Sequence, residues 1–191
     1  LHRQSRSSAA SDVYKRQTHT EAFLSINPKG KIPVLVDDEL VLSEGAAIIT
    51  YLADTYGETG AFVPIHGSHD RARYNQWLSF IQMELDAHTL YVIRKHRDLQ
   101  HLYGEAPAAI EAAVAGFNKQ VAVASKHLKE NEYLVGKSFT GADLMLAGIL
   151  QWAKDYVFDL DPTLTEYTNR QRRRPAYIAA NKLNKSIVGL N

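Results

Sequence analysis

Apolar residues recur at the spacing of amphipathic helices through the second half of the chain. Between about residues 70 and 97 they follow a period near 3.6, which predicts one long helix with a core-facing stripe; the residues are Tyr74, Trp77, Leu78, Ile81, Leu85 and Val92. A second helix is predicted from Pro107, and its apolar positions alternate by four and three; they are Ile110, Val114, Phe117, Val121, Ala124 and Leu128. Packing within one chain is favoured over a coiled-coil dimer, because this seam is short and rich in alanine.

A complete helix-start signal occupies residues 136–144. Thr140 is placed as the N-cap, and Asp143 at the third helical position is its reciprocal capping partner. Phe139 and Leu144 are placed to form a hydrophobic staple. The helix that follows is apolar on nearly every face and is expected at the centre of a bundle. We therefore assign these residues to folding rather than to chemistry.

A proline interrupts the strand-like run Ile32-Pro33-Val34-Leu35-Val36 in the first half of the chain. Because proline donates no ladder hydrogen bond, Pro33 is expected at the start of a strand or on an edge. If the bond before it is cis, the N–H and C=O of Ile32 project sideways, as they would toward an extended peptide. Glu44 then opens an apolar-periodic helix, so the amides of Glu44 and Gly45 lie at a helix N-terminus, where free N–H groups attract a carboxylate. The stretch predicts a site for a peptide-like ligand, although the helix macrodipole alone also favours an acid at this position.

Composition excludes several classes of protein without identifying a ligand. The 191 residues suffice for a full core, and 22 Lys+Arg against 21 Asp+Glu leave a formal charge of +1, which gives no electrostatic case for nucleic acid or an anionic membrane. With no cysteine in the sequence, disulfides, thiolate metal sites and a cysteine nucleophile are excluded within it. No run approaches the roughly 20 apolar residues of a membrane helix, so a soluble, cytoplasmic protein is expected.

Two clusters of basic residues have ordinary interpretations. The arginine-rich run 170–174 is isolated and lacks aromatic platforms, so it is expected to be a solvated loop that leads into a last helix at Pro175. His88, His96 and His101 are separated by eight and five residues, whereas two metal ligands on one helix face require three or four. No metal site and no nucleic-acid site are predicted.

Residues 27–56 resemble the glutathione-binding half of a cytosolic glutathione S-transferase, and the run that begins Ser43-Glu44-Gly45-Ala46-Ala47 is most similar to bacterial beta-class members. The resemblance implies an α+β fold, with a partial thioredoxin-like domain at 18–60 and an all-α helical-bundle domain at 68–191. A Gly- and Pro-rich connector lies between them. Glutathione is implied as co-substrate, with no metal. The residues that the resemblance assigns to glutathione are Lys31, Ile32, Pro33, Glu44 and Gly45.

Each of these residues has a role implied by the resemblance. The backbone of Ile32, before the cis-proline Pro33, pairs with the cysteinyl part of glutathione. Glu44 and Gly45 hold the γ-glutamyl end, and Lys31 reaches the glycyl carboxylate or nearby backbone. Gly45 stands where serine is commoner, so weaker binding is expected.

Residues 1–17 are expected to be a disordered, non-native tail. They lack an initiator methionine and apolar periodicity and are rich in Ser and Arg; a transit peptide is the alternative. By the resemblance, the first strand, first helix and second strand of the thioredoxin-like domain are then missing, together with the residue that hydrogen-bonds the glutathione sulfur. The catalytic residue is therefore unknown, and this chain is expected to be impaired as an enzyme.

The function implied by the resemblance is transfer of glutathione to a hydrophobic electrophile by a cytoplasmic homodimer, without nucleic-acid or membrane partners. The acceptor stays open, because pocket shape rather than fold decides it. Two alternatives remain. One is a glutathione-dependent isomerase or peroxidase, and the other is a non-enzymatic interaction module with the same fold.

Overall fold

The computed structural model describes residues 18–156 and 158–187. The chain divides into two compact units, Leu1–Thr59 and Gly60–Asn191. The expected tail at residues 1–17 lies outside the described residues. In the part of the chain that is described, no helix is long and apolar enough to cross a membrane.

The described elements of the first unit are two helices and a β-hairpin: α1 (Glu21–Ile26), β1 (Val34–Asp37), β2 (Leu40–Ser43) and α2 (Gly45–Tyr56). The strands are antiparallel, and their register pairs Val34 with Ser43. Asp38 has a positive φ of 50° in the tight turn between the strands. Within the described residues the sheet has two strands. This arrangement confirms the partial thioredoxin-like half of the α+β fold.

All regular secondary structure in the described residues of the second unit is helical, as predicted. Its elements are α3 (His69–Phe80), π1 (Ile81–Leu90), α4 (Tyr91–Ile93), π2 (Arg94–Asp98), α5 (Gln100–Tyr103), α6 (Pro107–Leu128), α7 (Gly141–Asp155), α8 (Pro162–Arg172) and α9 (Pro175–Ile187). The last helix begins at Pro175, the residue that the sequence predicts.

The long core-facing helix predicted over residues 70–97 is present, but it is not a regular α-helix. The segment is helical throughout, but π1 and π2 have the wider turn in which an N–H bonds to the carbonyl five residues earlier, as from Leu99 to Arg94 at 3.0 Å. Leu85, Leu90 and Ile93 are all buried. The π-helical turns therefore insert one extra residue between successive apolar positions of the stripe. The wider turn keeps these side chains on the core side of the helix.

Helix α6 packs against π1 and α8 through one continuous apolar face. Its buried hydrophobic residues are Ala113, Phe117, Val121, Ala124 and Leu128. At Gly116 a Cβ would lie 3.4 Å from Cγ2 of Thr89, so α6 approaches π1 closely at this residue. The seam predicted from the sequence therefore packs within the second unit.

The capping box at the start of α7 is present. The Thr140 N–H and hydroxyl both donate to Oδ2 of Asp143 at 2.9 Å. Oδ1 of the same carboxylate accepts from the Leu134 N–H at 2.9 Å and from the Tyr167 hydroxyl at 2.8 Å. Asp143 is fully buried, and its hydrogen bonds join the start of α7 to the preceding loop and to α8.

Burial of α7 is one-sided, contrary to the expectation for a helix at the bundle centre. The buried hydrophobic residues form one face: Ala142, Leu146, Ile149, Leu150 and Ala153. On another face Leu144 is 42% exposed. The Phe139 ring lies against Phe62 and under the guanidinium of Arg174, so the proposed staple between Phe139 and Leu144 stays a prediction.

Candidate functional site

The loop between α1 and β1 is held by the side chain of a buried asparagine. Asn27, only 4% exposed, donates from Nδ2 to the Lys31 carbonyl at 2.6 Å and accepts at Oδ1 from the Lys29 N–H at 3.2 Å. Gly30 closes the turn with a φ of 60°, and its N–H donates to the Asn27 carbonyl at 2.9 Å. One side chain therefore fixes the backbone that leads to Ile32.

The Ile32–Pro33 peptide bond is cis. This is the conformation in which the N–H and C=O of Ile32 were expected to project sideways. Ile32 precedes the first ladder pair of β1 and is 58% exposed. Among the described backbone hydrogen bonds, none uses the N–H or C=O of Ile32. An extended ligand backbone would meet these two groups beside the cis bond.

Glu44 adopts an uncommon conformation at the boundary between β2 and α2. Its φ of 76° and ψ of 117° place a non-glycine residue in the left-handed half of the backbone map, a conformation that costs on the order of 1–3 kcal/mol. The side chain makes no capping hydrogen bond to the described residues of α2, and it is 65% exposed. Strain of this kind concentrates at binding sites, where surrounding structure maintains it.

The Glu44 carboxylate is turned toward the asparagine-held loop. Its Oε1 lies 2.5 Å from Nζ of Lys29, an ion pair across 15 residues of sequence. Because the Glu44 side chain does not cap α2, the first-turn N–H groups of that helix are not satisfied by it. An anion at this helix start would meet backbone N–H donors and the positive end of the helix dipole.

The start of α2 lies next to the start of β1. A Cβ built on Gly45 has Pro33 Cγ, at 3.9 Å, as its nearest neighbour. Pro33, Glu44 and Gly45 are thus brought together, with Lys29 joined to them through Glu44. Lys31 is exposed, and its carbonyl is anchored by Asn27.

Two residues of this site were missed by the sequence reasoning, Asn27 and Lys29. The signal for Asn27 was the turn composition Asn-Pro-Lys-Gly, because asparagine side chains commonly bond to backbone two residues ahead. For Lys29 the sequence offered only the charge, because its pairing with Glu44 depends on how the loop folds back.

A second polar cluster ties α2 to the end of β1. The hydroxyls of Tyr51 and Tyr56 both donate to Oδ2 of Asp37, at 2.6 and 2.5 Å. Both hydrogen bonds lower the pKa of the Asp37 carboxyl below its ordinary value, and the bond from Tyr51 has the larger effect. The same bond to Asp37 raises the pKa of Tyr56 to about 12. The described residues contain no group of three His, Asp or Glu side chains that could hold a metal ion.

Comparison with known proteins decides the family. A profile described as the glutathione S-transferase C-terminal domain matches residues 80–175, and one described as the glutathione S-transferase N-terminal domain matches residues 10–60. The chain belongs to the glutathione S-transferase family. The C-terminal match covers the helices from the end of α3 to the beginning of α9, and the N-terminal match includes the whole candidate site.

Several known proteins are moderately similar to this chain. Glutathione S-transferase GstA of Escherichia coli O157:H7 is 29% identical over 84% of this chain and 77% of its own length. Elongation factor 1-gamma of Prunus avium is 32% identical over 66% of this chain but only 29% of its own length. A glutathione transferase homologue from Lodderomyces elongisporus, solved with two GSH per subunit, is 26% identical with a TM-score of 0.76, covering 87% of this chain and 81% of its own.

Proposed function

We propose that this glutathione S-transferase family member binds glutathione at Lys31, Ile32, Pro33, Glu44 and Gly45. The observation that carries the proposal is the conformation of Glu44, whose positive φ holds an exposed carboxylate at an uncapped helix start beside Pro33. Backbone strain of this kind is common at ligand-binding sites, and here it presents a carboxylate beside the N–H groups of a helix start. The GSH bound to the Lodderomyces homologue supports the same ligand.

The chemistry of glutathione suits each part of this arrangement. Its γ-glutamyl end carries an ammonium, which can donate hydrogen bonds to the Glu44 carboxylate. It also carries a carboxylate, which can accept hydrogen bonds from the N–H of Gly45 and the start of α2. Its cysteinyl amide groups match the N–H and C=O of Ile32, which have no backbone partner among the described hydrogen bonds. Its glycyl carboxylate matches a lysine ammonium, from Lys31 as the sequence predicts.

The reaction we propose is conjugation to a hydrophobic electrophile. The thiol gives up its proton, the thiolate sulfur attacks the electrophilic carbon, and the leaving group departs with its bonding electron pair. The residue that stabilises the thiolate is not assigned, and isomerase or peroxidase chemistry with the same thiol is an alternative. We further propose a beta-class-like, cytoplasmic homodimer; sedimentation equilibrium should give twice the chain mass, and a monomer at all concentrations would contradict the dimer.

Calorimetric titration of the purified full chain with glutathione tests the binding site. We expect saturable binding weaker than micromolar, because Gly45 offers no hydroxyl. Glu44→Gln keeps the size of the side chain but removes its charge, so it should raise Kd about tenfold or more. Glu58→Gln, which removes an exposed acid near the end of the first unit, is the matched control and should leave Kd unchanged. Absence of binding by the unsubstituted chain, or equal losses in both variants, would refute the proposal.

A non-enzymatic interaction module is the second candidate, and the similarity to elongation factor 1-gamma favours it. The two candidates differ in whether glutathione is recognised at all. Retention on immobilised glutathione with elution by free glutathione supports the transferase. Passage through the column without delay supports the module.

A further inference from the structure

Lys29 and Glu44 form an exposed ion pair beside the start of α2. Their side chains are 47% and 65% exposed, and Nζ of Lys29 lies 2.5 Å from Oε1 of Glu44. Exposed pairs of this kind contribute little to stability, because water solvates both charges and two long side chains lose conformational freedom. Stability alone therefore does not explain why the backbone is fixed at both ends of this pair.

The backbone holds each member of the pair in place. Lys29 is the third residue of the turn formed by residues 27–30, which the hydrogen bond from the Gly30 N–H to the Asn27 carbonyl closes at 2.9 Å. The buried side chain of Asn27 also accepts from the Lys29 N–H at 3.2 Å. At the other end, the positive φ of 76° directs the Glu44 side chain toward this turn. The two charges are thus brought together by the fold itself.

Both charged groups of the pair can make further hydrogen bonds. A lysine ammonium has three donors, and the described hydrogen bonds of Lys29 Nζ consist of one, to Oε1 of Glu44. None of the described hydrogen bonds is accepted by Oε2 of the same carboxylate. Gly45, the next residue, has no side chain with which to bind a ligand. An incoming ligand therefore meets a cation and an anion side by side.

We propose that Lys29 determines specificity at the glutathione site: its ammonium binds the α-carboxylate of the γ-glutamyl end, while Glu44 binds the α-ammonium. The inference rests on the proposed function and adds a residue that the family resemblance leaves without a role. The two ligand groups are bonded to one carbon atom, so they lie side by side and can face the pair with their charges in the opposite order. Four charges then alternate around a ring, and each lies between two of opposite sign.

Such a pair makes the site selective for a zwitterionic head group. A ligand without the carboxylate loses its contact with Lys29, and a ligand without the ammonium brings a second anion beside Glu44. A peptide linked through the α-carboxylate of glutamate, such as α-Glu-Cys-Gly, has an uncharged amide where the site binds an anion. We therefore expect binding of γ-linked peptides with both groups free, and much weaker binding of their α-linked isomers.

The probes are glutathione and two analogues that each lack one charge. 4-Aminobutyryl-Cys-Gly lacks the α-carboxylate, and glutaryl-Cys-Gly lacks the α-ammonium. Amide chemical shifts of the isotopically labelled full chain give Kd for each probe. Lys29→Gln should raise Kd for glutathione about fivefold or more, yet change Kd for 4-aminobutyryl-Cys-Gly by about twofold at most. Glu44→Gln should likewise have little effect on Kd for glutaryl-Cys-Gly.

Two other lysine variants change the net charge by the same amount. Lys31→Gln removes the cation assigned to the glycyl end, which both glutathione and 4-aminobutyryl-Cys-Gly retain, so it should weaken the two by the same factor. Lys119→Gln removes an exposed cation of α6 in the second unit and should leave every Kd unchanged.

Three results would overturn the inference. Equal losses of glutathione and 4-aminobutyryl-Cys-Gly binding in Lys29→Gln would mean that the lysine only holds Glu44 in place. Tighter binding of both probes would mean that Lys29 competes with the ligand ammonium. Equal losses in Lys29→Gln and Lys119→Gln would indicate general charge attraction. In all three cases the unsubstituted chain still binds glutathione and the proposed function stands, whereas absence of that binding would overturn both.

Discussion

At the scale of single residues, Gly45 stands where the family resemblance implies a serine. Nothing crowds the position, since the nearest atom to an added Cβ is Pro33 Cγ at 3.9 Å, and φ of Gly45 is not in the left-handed region. A larger residue therefore fits without rearrangement. Glycine at this position lacks the hydroxyl donor of serine, and its backbone conformation is one that serine could also adopt.

We predict that Gly45→Ser tightens glutathione binding about three- to tenfold, because the hydroxyl adds a hydrogen bond to a ligand carboxylate. Gly45→Ala is the matched control: it adds the same Cβ, with a gain in helix propensity at least as large, but without a hydroxyl. Calorimetry should show improved Kd for serine only. Equal improvement in both variants would assign the effect to a stiffer helix start.

The Asp37 cluster makes a prediction about pH. Tyr56→Phe removes one of the two donors to Asp37, so the pKa of its carboxyl should rise toward the ordinary value, as measured by NMR titration of the side-chain carboxyl carbon. Because the folded pKa is lowered, the cluster contributes stability above the unfolded pKa of about 3.9 and loses it as pH falls through the folded pKa. Tyr103→Phe, at an exposed ring beside Lys95, should leave the Asp37 titration unchanged.

At the scale of elements, α7 begins with a buried carboxylate that accepts from four donors on three parts of the second unit. A charge buried with such complete hydrogen bonding is stable, but loss of the acceptor leaves several donors without a partner. The two capping residues should therefore differ sharply in their effect on stability.

Thr140→Ala should lower the free energy of unfolding by about 1 kcal/mol, because it removes one hydroxyl of the cap. Asp143→Ala should lower it by about 3 kcal/mol or more, because the buried N–H groups of Leu134 and Thr140 and the Tyr167 hydroxyl lose their acceptor. Urea unfolding measures both, with Ser138→Ala at an exposed neighbouring position as control. Similar costs for Thr140 and Asp143 would contradict the central role of the carboxylate.

Elements whose signals are local could be predicted from the sequence, and those that depend on distant contacts could not. Thr140 and Asp143 are three residues apart, so their spacing alone predicts the cap. The close approach of α6 to π1 at Gly116 joins residues far apart in the sequence, so no local pattern predicts it. At the site, Pro33 and Glu44 could be proposed from residue type, whereas the Lys29–Glu44 pair and the positive φ of Glu44 arise only when the loop and helix meet.

At the scale of the whole molecule, burial differs greatly between the two units. Ala46 is the buried hydrophobic residue found between positions 18 and 59, whereas the second unit buries a large set that includes Ile81, Phe117, Leu146 and Leu150. A two-stranded sheet has little independent stability in water. Most of the hydrophobic burial in the described chain is therefore in the helices of the second unit.

Native-state hydrogen exchange should show this difference. Amides of β1 and β2 should exchange about 100-fold faster than those of α7, because local opening of the first unit exposes little apolar surface. Saturating glutathione should slow exchange around Ile32 and Gly45 without altering α7. Equal protection of both units in the free protein would mean that they open together.

The backbone of Glu44 also bears on how the protein would respond to laboratory evolution. Its φ of 76° is one that glycine adopts freely, so Glu44→Gly removes local strain, and the exposed ion pair with Lys29 that it sacrifices is worth only about 0.2–1 kcal/mol. A library selected for heat resistance alone would therefore tolerate or enrich glycine at position 44 and discard the carboxylate. Selection on immobilised glutathione would keep it, and the two enrichment profiles would diverge most at this residue.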